Sequence, residues 1–172
     1  MRLEPEEAVV DLGPRRKAAI ALAQRLLRAA NAVQAPVSLR VVVGHLQKDH
    51  DITLVPMNDV SSKVSGLLVQ CRTEEDEYSV IGYNEKHPWC RRRFTIGHEI
   101  GHLLMGHTCE GRDVTDASHN EREADIFASE LLLPSELIKK DFRSTPDLQL
   151  LAKKYIMSKE AVTRKLMDLR LL

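Results

Sequence analysis

From residue 15 onward the chain alternates between helical and strand periods. Ala19, Leu22, Ala23, Leu26 and Leu27 recur at three- and four-residue steps with arginines between them. This pattern predicts a long amphipathic helix from Gly13-Pro14 to about Ala32. Past Pro36, Ser38 is a helix-capping residue, and Leu39, Val42, Val43 and Leu46 form the apolar stripe of a second helix. The period then shortens. Ile52–Val55, Val64–Val69 and Tyr78–Tyr83 are short β-rich runs, separated by Pro56, Asn58 and Asp59 in one gap and by the acidic run 74–77 in the other. They predict a small three-stranded antiparallel sheet whose acidic run is a solvated hairpin tip.

Helical spacing returns after Pro88. One helix is expected from Arg91 to about Met105. A second is expected from Ser118 to about Leu133, with Ser118 as cap and Glu121 completing a capping box. Pro134-Ser135 opens a short helix to about Phe142. Pro146 fits the first position of another ending near Tyr155, and Ser158 caps a last one reaching Leu169. The fold class is α+β, mostly helical. The expected layout is a main unit over residues 13–142 with a C-terminal helical extension, 143–172, packed on it.

Composition narrows the function classes. Twenty-five Lys and Arg balance twenty-five Asp and Glu in 172 residues, so no global basic field points to nucleic acid. Cys71, Cys90 and Cys109 form an odd, sparse set without a C-x-x-C pair, which suits a reducing compartment rather than a disulfide framework. The acidic N-terminus lacks the apolar run of a secretory signal, and no stretch approaches about 18 apolar residues. A cytoplasmic location with no membrane contact is expected.

The chemistry concentrates in His98-Glu99-Ile100-Gly101-His102. Residues four apart on a helix share a face, with Cβ atoms roughly 5–6 Å apart. Two imidazoles placed so can grip one ion, and Glu99, one residue along, flanks it where a general base must be. With seven histidines in the chain, the pattern arises by chance about two times in a hundred, so context matters. Phe94, Ile96, Ile100, Leu103 and Leu104 give this helix an apolar back. Gly97 and Gly101 cost up to about 1 kcal/mol each in a helix, which close packing beside a site would explain.

A catalytic zinc needs a third protein ligand and an open position. His107 is the first candidate, but Met105 and Thr108 stand where the metzincin spacing needs Gly and His. It fits a place on the rim or at the helix end. Glu121 is the better candidate. It lies four residues before Asp125, so one carboxylate can bind metal while the other accepts the N–H of a ligand histidine. Glu123 points roughly 200° around the helix from Glu121. Ala124 and Ala128 let the two helices lie close.

Four stretches together resemble the ImmA/IrrE family of metallopeptidases. They are RRRFTIGHEIGHLL at 91–104, EREADIFASELLLP at 121–134, LAKKYIMSKEAV at 151–162 with Arg164-Lys165-Leu166 following, and Ile81-Gly82-Tyr83-Asn84. The resemblance spans roughly residues 15–172. It implies a zincin-like fold with an active-site helix, metal ligation by His98, His102 and Glu121, and a base role for Glu99. The ligand maps to Glu121 rather than Glu123 because the family's metal-binding Glu precedes its Ala by three residues. The implied cofactor is Zn2+, with Mn2+ as the alternative. The implied partner is a protein substrate, a transcriptional repressor often of the helix-turn-helix type, cut to release stress-response or mobile-element genes. Gly97 stands where Ala is common in the family. Asp125 is the expected partner of a ligand histidine. His107, His119 and Tyr83 are candidates for oxyanion stabilisation or the rim. Cys109 is expected to be a spectator.

Two rival readings have their own signals. Residues 147–172 read as a helix-turn-helix with six basic residues against three acidic ones, which suggests a DNA-binding module. Leu148, Leu151, Ala152, Ile156, Val162, Leu166 and Leu169, however, make a stripe suited to packing on the main body, so direct DNA binding is not expected. The other rival is a partner-binding or antitoxin-like protein with a latent metal site.

Overall fold

The computed structural model describes residues 13–74, 76–107 and 114–172. Among these, two helices precede the sheet: α1 (Gly13–Ala29) and α2 (Leu39–Leu46). The strands are β1 (Asp51–Met57), β2 (Gly66–Arg72) and β3 (Glu77–Asn84). Five helices follow: α3 (Trp89–Leu104), α4 (Val114–Leu132), α5 (Ser135–Ser144), α6 (Leu148–Tyr155) and α7 (Lys159–Asp168). Ser38 caps α2 as its sequence suggests, accepting from the Val41 N–H, and all four stripe residues of α2 are buried. None of these helices is long and apolar enough to cross a membrane.

The sheet is mixed, not antiparallel. Its order is β1-β3-β2, with β3 central, antiparallel to β2 and parallel to β1. Periodicity reveals that a segment is a strand but carries no sign of direction. A parallel partner needs a crossover of a dozen or more residues, and the stretch from 58 to 76, β2 included, supplies it. Pro56 interrupts nothing, because β1 is an edge strand where a missing N–H is tolerated.

Buried Asn84 secures the loop that steps across. Its Nδ2 donates to the Ser61 and Val64 carbonyls at 3.1 and 2.8 Å, and its Oδ1 accepts from the Lys86 N–H.

Two further expectations change. α4 begins at Val114, so Ser118 lies within the helix and is not its cap. No Gly or Pro stands between 114 and 118 to stop the helix from extending toward its N-terminus. Pro146 precedes the cap of α6: Asp147 is the N-cap and accepts from the Gln149 and Leu150 N–H groups, a better use of a carboxylate at a helix start. The acidic run does flank a hairpin, with Arg72 paired to Glu77 across its base; Glu75 lies outside the described residues.

The core joins Ala19, Ala23 and Leu27 of α1 to Ile96 and Ile100 of α3 and Phe127, Leu131 and Leu132 of α4. Leu151, Ala152, Val162 and Leu166 of α6 and α7 are buried in the same cluster. The arginine run at the start of α3 is structural. Arg93 is buried and donates to the Val37 carbonyl, Arg92 stacks on Trp89, and Arg91 reaches the Ser65 hydroxyl.

A polar knot ties four helices around Glu130 of α4. Its carboxylate accepts from Gln24 Nε2 at 2.9 Å, from the Ser135 backbone N–H and hydroxyl, and from Lys165 Nζ at 2.6 Å. Burial pushes the Glu130 pKa up, but the Lys165 charge and these hydrogen bonds outweigh it and hold it below the ordinary carboxylate value.

Candidate functional site

α3 and α4 run against each other with small residues at the seam. A Cβ built on Gly101 would lie 3.1 Å from Phe127 Cδ1 and 3.2 Å from Ala124 Cα; one on Gly97 would lie 3.5 Å from Ala128 Cβ. Close approach therefore accounts for Gly101 despite its cost, whereas an added Cβ at Gly97 makes only an ordinary contact. The close approach also brings the polar faces of α3 and α4 within ligand distance of each other.

At that seam His98, His102 and Glu121 converge. One ligand atom from each lies within 4.8 Å of the others, a His/His/Glu group that could hold a metal ion. The two Nε2 atoms are 2.9 Å apart. Glu121 Oε2 lies 3.2 Å from His98 Nε2, and its Oε1 lies 3.2 Å from His102 Nε2. Two donors about 2.0–2.1 Å from a tetrahedral ion stand roughly 3.3 Å apart, so the spacing fits one small cation. Both imidazoles are largely buried, whereas the Glu121 side chain is 64% exposed.

The outward nitrogens are also engaged. His98 Nδ1 is 2.8 Å from Asp125 Oδ1, the partner expected for a ligand histidine. His102 Nδ1 is 3.0 Å from His107 Nδ1, and His107 Nε2 is 3.0 Å from Glu123 Oε2. Glu123 Oε1 accepts from Arg15 at 3.2 Å. His107 thus sits behind His102, with its side chain only 8% exposed, and not on an open rim.

Glu99 is buried beside this group. A Cβ on Gly66, at the start of edge strand β2, would collide with Thr95 Cγ2 and lie 3.2 Å from Glu99 Oε1. The sheet therefore closes over the carboxylate. Gly66 escaped the sequence reading, although a glycine in a strand signals close approach by other groups.

Tyr83 lies opposite Gly66 in the β2–β3 register, and His119 is half-buried one turn before Glu123. Among the described residues no hydrogen bond ties either side chain to the cluster. Cys109 lies outside the described residues; Cys71 and Cys90 are free thiols.

The charges are interdependent. Burial lowers the His98 pKa, but its hydrogen bond to Asp125 and the charges of Asp125, Glu121 and Glu99 outweigh this and raise it overall. Burial and then the neighbouring His98 and His107 push His102 down, to about 4, against the pull of Glu121 and Asp125. Burial, with the Glu121 charge adding and His98 opposing, raises Glu99 above the ordinary carboxylate value. A site with a largely neutral His102 imidazole and several nearby carboxylates is chemically suited to a divalent cation.

Beside the cluster, on the Asp125 side of His98, lies a cavity of about 650 Å³ between α3, α4 and α7. Phe94, Ile126, Leu133 and Met157 line it, and Arg122 stands at its margin.

The family model Peptidase M78, described as the IrrE N-terminal-like domain, matches residues 47–167. Among solved structures, a Mycobacterium tuberculosis transcriptional regulator is similar in fold, with a TM-score of 0.66 and 17% sequence identity. That match covers 90% of this chain and 49% of the other, so the chain spans about half that protein's length. No curated protein matches the chain.

Proposed function

The chain belongs to the IrrE N-terminal-like peptidase family, and from that premise we propose that it is a zinc-dependent metalloendopeptidase with a zincin-like fold. The observation that carries this reading is the convergence of His98, His102 and Glu121 at the seam of two closely packed helices, with Glu99 buried beside them.

His98 Nε2, His102 Nε2 and a Glu121 oxygen would hold the zinc, which would supply Lewis-acid chemistry toward a water and the scissile carbonyl. Two imidazoles and a carboxylate suit zinc best and also accept manganese. Glu99 takes the proton from the attacking water and passes it to the leaving amine. Burial favours its neutral form, which makes it a stronger base than an exposed glutamate. Asp125 accepts from His98 Nδ1 and thereby leaves Nε2 free for the metal. The apolar cavity beside Asp125 offers room for a bulky side chain of the polypeptide substrate.

By its resemblance to the ImmA/IrrE peptidases, the substrate class is a helix-turn-helix repressor protein, and the location is the cytoplasm. The C-terminal helices serve the body and not DNA. Leu151, Ala152, Val162 and Leu166 of their apolar stripe are buried, and of their basic residues Lys154, Arg164 and Lys165 are already paired within the chain.

The test has two steps. Metal content is measured after purification without chelators or a histidine tag. One zinc per chain, lost in Glu121→Ala, is the expected result; a wild type that stays metal-free and cannot be reloaded overturns the reading. The chain is then coexpressed with repressors encoded beside its gene. Specific cleavage that disappears in Glu99→Gln, with metal retained, supports the enzyme.

A further inference from the structure

We propose that His107 and Glu123, backed by Arg15, are the positioning residues of His102, and that they set which of its ring nitrogens faces the metal. The inference rests on the metal-site reading above and adds residues that the ligand pattern does not contain.

Geometry makes the contact deliberate. On a continuing helix, a residue five along from His102 would sit about 140° around the axis from it. The chain instead leaves the helix at Met105, and Gly106 takes a left-handed conformation with φ of 65°. The His107 N–H then returns to the His102 carbonyl at 3.0 Å, and the two Nδ1 atoms meet at 3.0 Å. Glu123, on α4 and 12% exposed, closes the other side of His107.

The direction of the chain follows from counting protons. Only one proton fits between two Nδ1 atoms 3.0 Å apart. If His102 carries it, His102 Nε2 is a bare lone pair, the state a metal ligand needs. His107 Nδ1 then accepts, so His107 Nε2 carries the hydrogen and must donate. Ionised Glu123 can only accept, and it stands there. With the opposite order, His102 Nε2 would bear a hydrogen aimed at Glu121 and His98, where it would exclude a cation. Arg15 engages the second oxygen of Glu123 and keeps the acceptor oriented toward His107. The carboxylate of Glu123 therefore reaches the metal through two imidazoles, whereas Asp125 acts on His98 directly.

The experiment is a titration of metal-free protein with zinc against a chromophoric chelator, alongside unfolding midpoints of each metal-free variant. His107→Phe keeps a ring but removes the relay, and its zinc affinity should fall roughly 10–100-fold with an unchanged metal-free midpoint. Glu123→Gln should weaken zinc binding about tenfold. Arg15 draws the amide oxygen to itself, which turns the NH2 toward His107 and imposes the wrong tautomer. Removing that constraint in Arg15→Ala/Glu123→Gln lets the amide turn over, and affinity should return to within a few-fold of wild type. A merely structural role predicts that the double variant is no better than the single one.

Long-range 1H–15N spectra of the zinc-loaded wild type should show His107 protonated at Nε2 and not at Nδ1. Single variants His107→Phe and Glu123→Gln that stay within twofold of wild type, a double variant that does not recover, or a proton on His107 Nδ1 would each overturn the inference while leaving the metal site standing. A wild type that binds no zinc overturns both.

Discussion

The two glycines of α3 offer a paired test of how the seam with α4 is built. Both face α4, but their surroundings differ by a few tenths of an ångström. A Cβ on Gly97 meets nothing nearer than 3.5 Å, an ordinary contact, and its neighbours are the side chains of Ala128 and Leu132 and the Ala128 Cα at 3.6 Å. Replacing Gly97 by Ala therefore keeps the packing and gains the reduced chain entropy of the unfolded state, about 0.4–1 kcal/mol. For a chain of this size that is a rise in Tm of roughly 1–4 °C.

A Cβ on Gly101 lies 3.2 Å from the Ala124 Cα, which is helix backbone and cannot rotate away. The same entropic gain is then set against an overpacking cost of about 1–3 kcal/mol. The net effect is a loss of up to about 2.6 kcal/mol. The relief available is for α3 and α4 to part, which draws Glu121 away from His98 and His102. Gly101→Ala should thus weaken zinc binding at least several-fold, and Gly97→Ala should leave it unchanged. Thermal melts of the metal-free proteins and a zinc titration read both effects. If the two substitutions shift Tm by the same amount, or if Gly97→Ala weakens metal binding as much as Gly101→Ala, the account of the seam is wrong.

Other expectations follow from the same contacts. Lys165→Met leaves the buried Glu130 carboxylate without its cation and should cost about 3–5 kcal/mol at neutral pH. In the wild type the depressed pKa of Glu130 gives stability that is present above its unfolded value and lost as pH falls through the folded one. In the variant, burial raises that pKa, so the gap between variant and wild type should narrow from pH 7 to pH 5 in urea melts; a constant gap refutes the assignment. Gly66→Ala forces edge strand β2 off Thr95 and Glu99 and should lower kcat for a cleaved repressor with metal content preserved. An unchanged kcat would show that the strand does not constrain Glu99. Free zinc at a thousand times its dissociation constant should stabilise the wild type by about 4 kcal/mol, reversibly with chelator, and should not stabilise Glu121→Ala.

Much of this architecture is legible in the residue pattern because helix periodicity and ligand spacing are local. The stripe Leu39–Leu46 and the pair His98 and His102 need only one helix to be recognised, and Asp125 needs only the helix that also bears Glu121. Features that depend on long-range pairing are hidden. Strand direction is one, since β1 and β2 have the same alternation whichever way they run. The extent of α4 is another, because Ser118 is an excellent cap that a helix can nonetheless run through. Glu123 is turned away from Glu121, as its spacing indicates, but it is buried against His107 and Arg15 and is no ordinary surface charge. Its partner His107 arrives only because Gly106 reverses the chain, and Arg15 is more than a hundred residues away in sequence. Gly66 could be flagged as a glycine in a strand, but nothing in the sequence says which carboxylate it must clear.

The site is walled unequally. The imidazoles of His98 and His102 are 16% and 13% exposed and held from behind, whereas the carboxylate of Glu121 is 64% exposed. An exposed side chain changes rotamer in picoseconds to nanoseconds, while separating α3 from α4 means breaking the core. On the proposed ligand set, metal exchange would therefore need only the swing of one side chain, with the two imidazoles staying behind as a preformed pair. Retention of such an ion would then be governed by that one torsion and by whatever covers it, so a polypeptide lying over Glu121 would slow metal loss without touching either histidine.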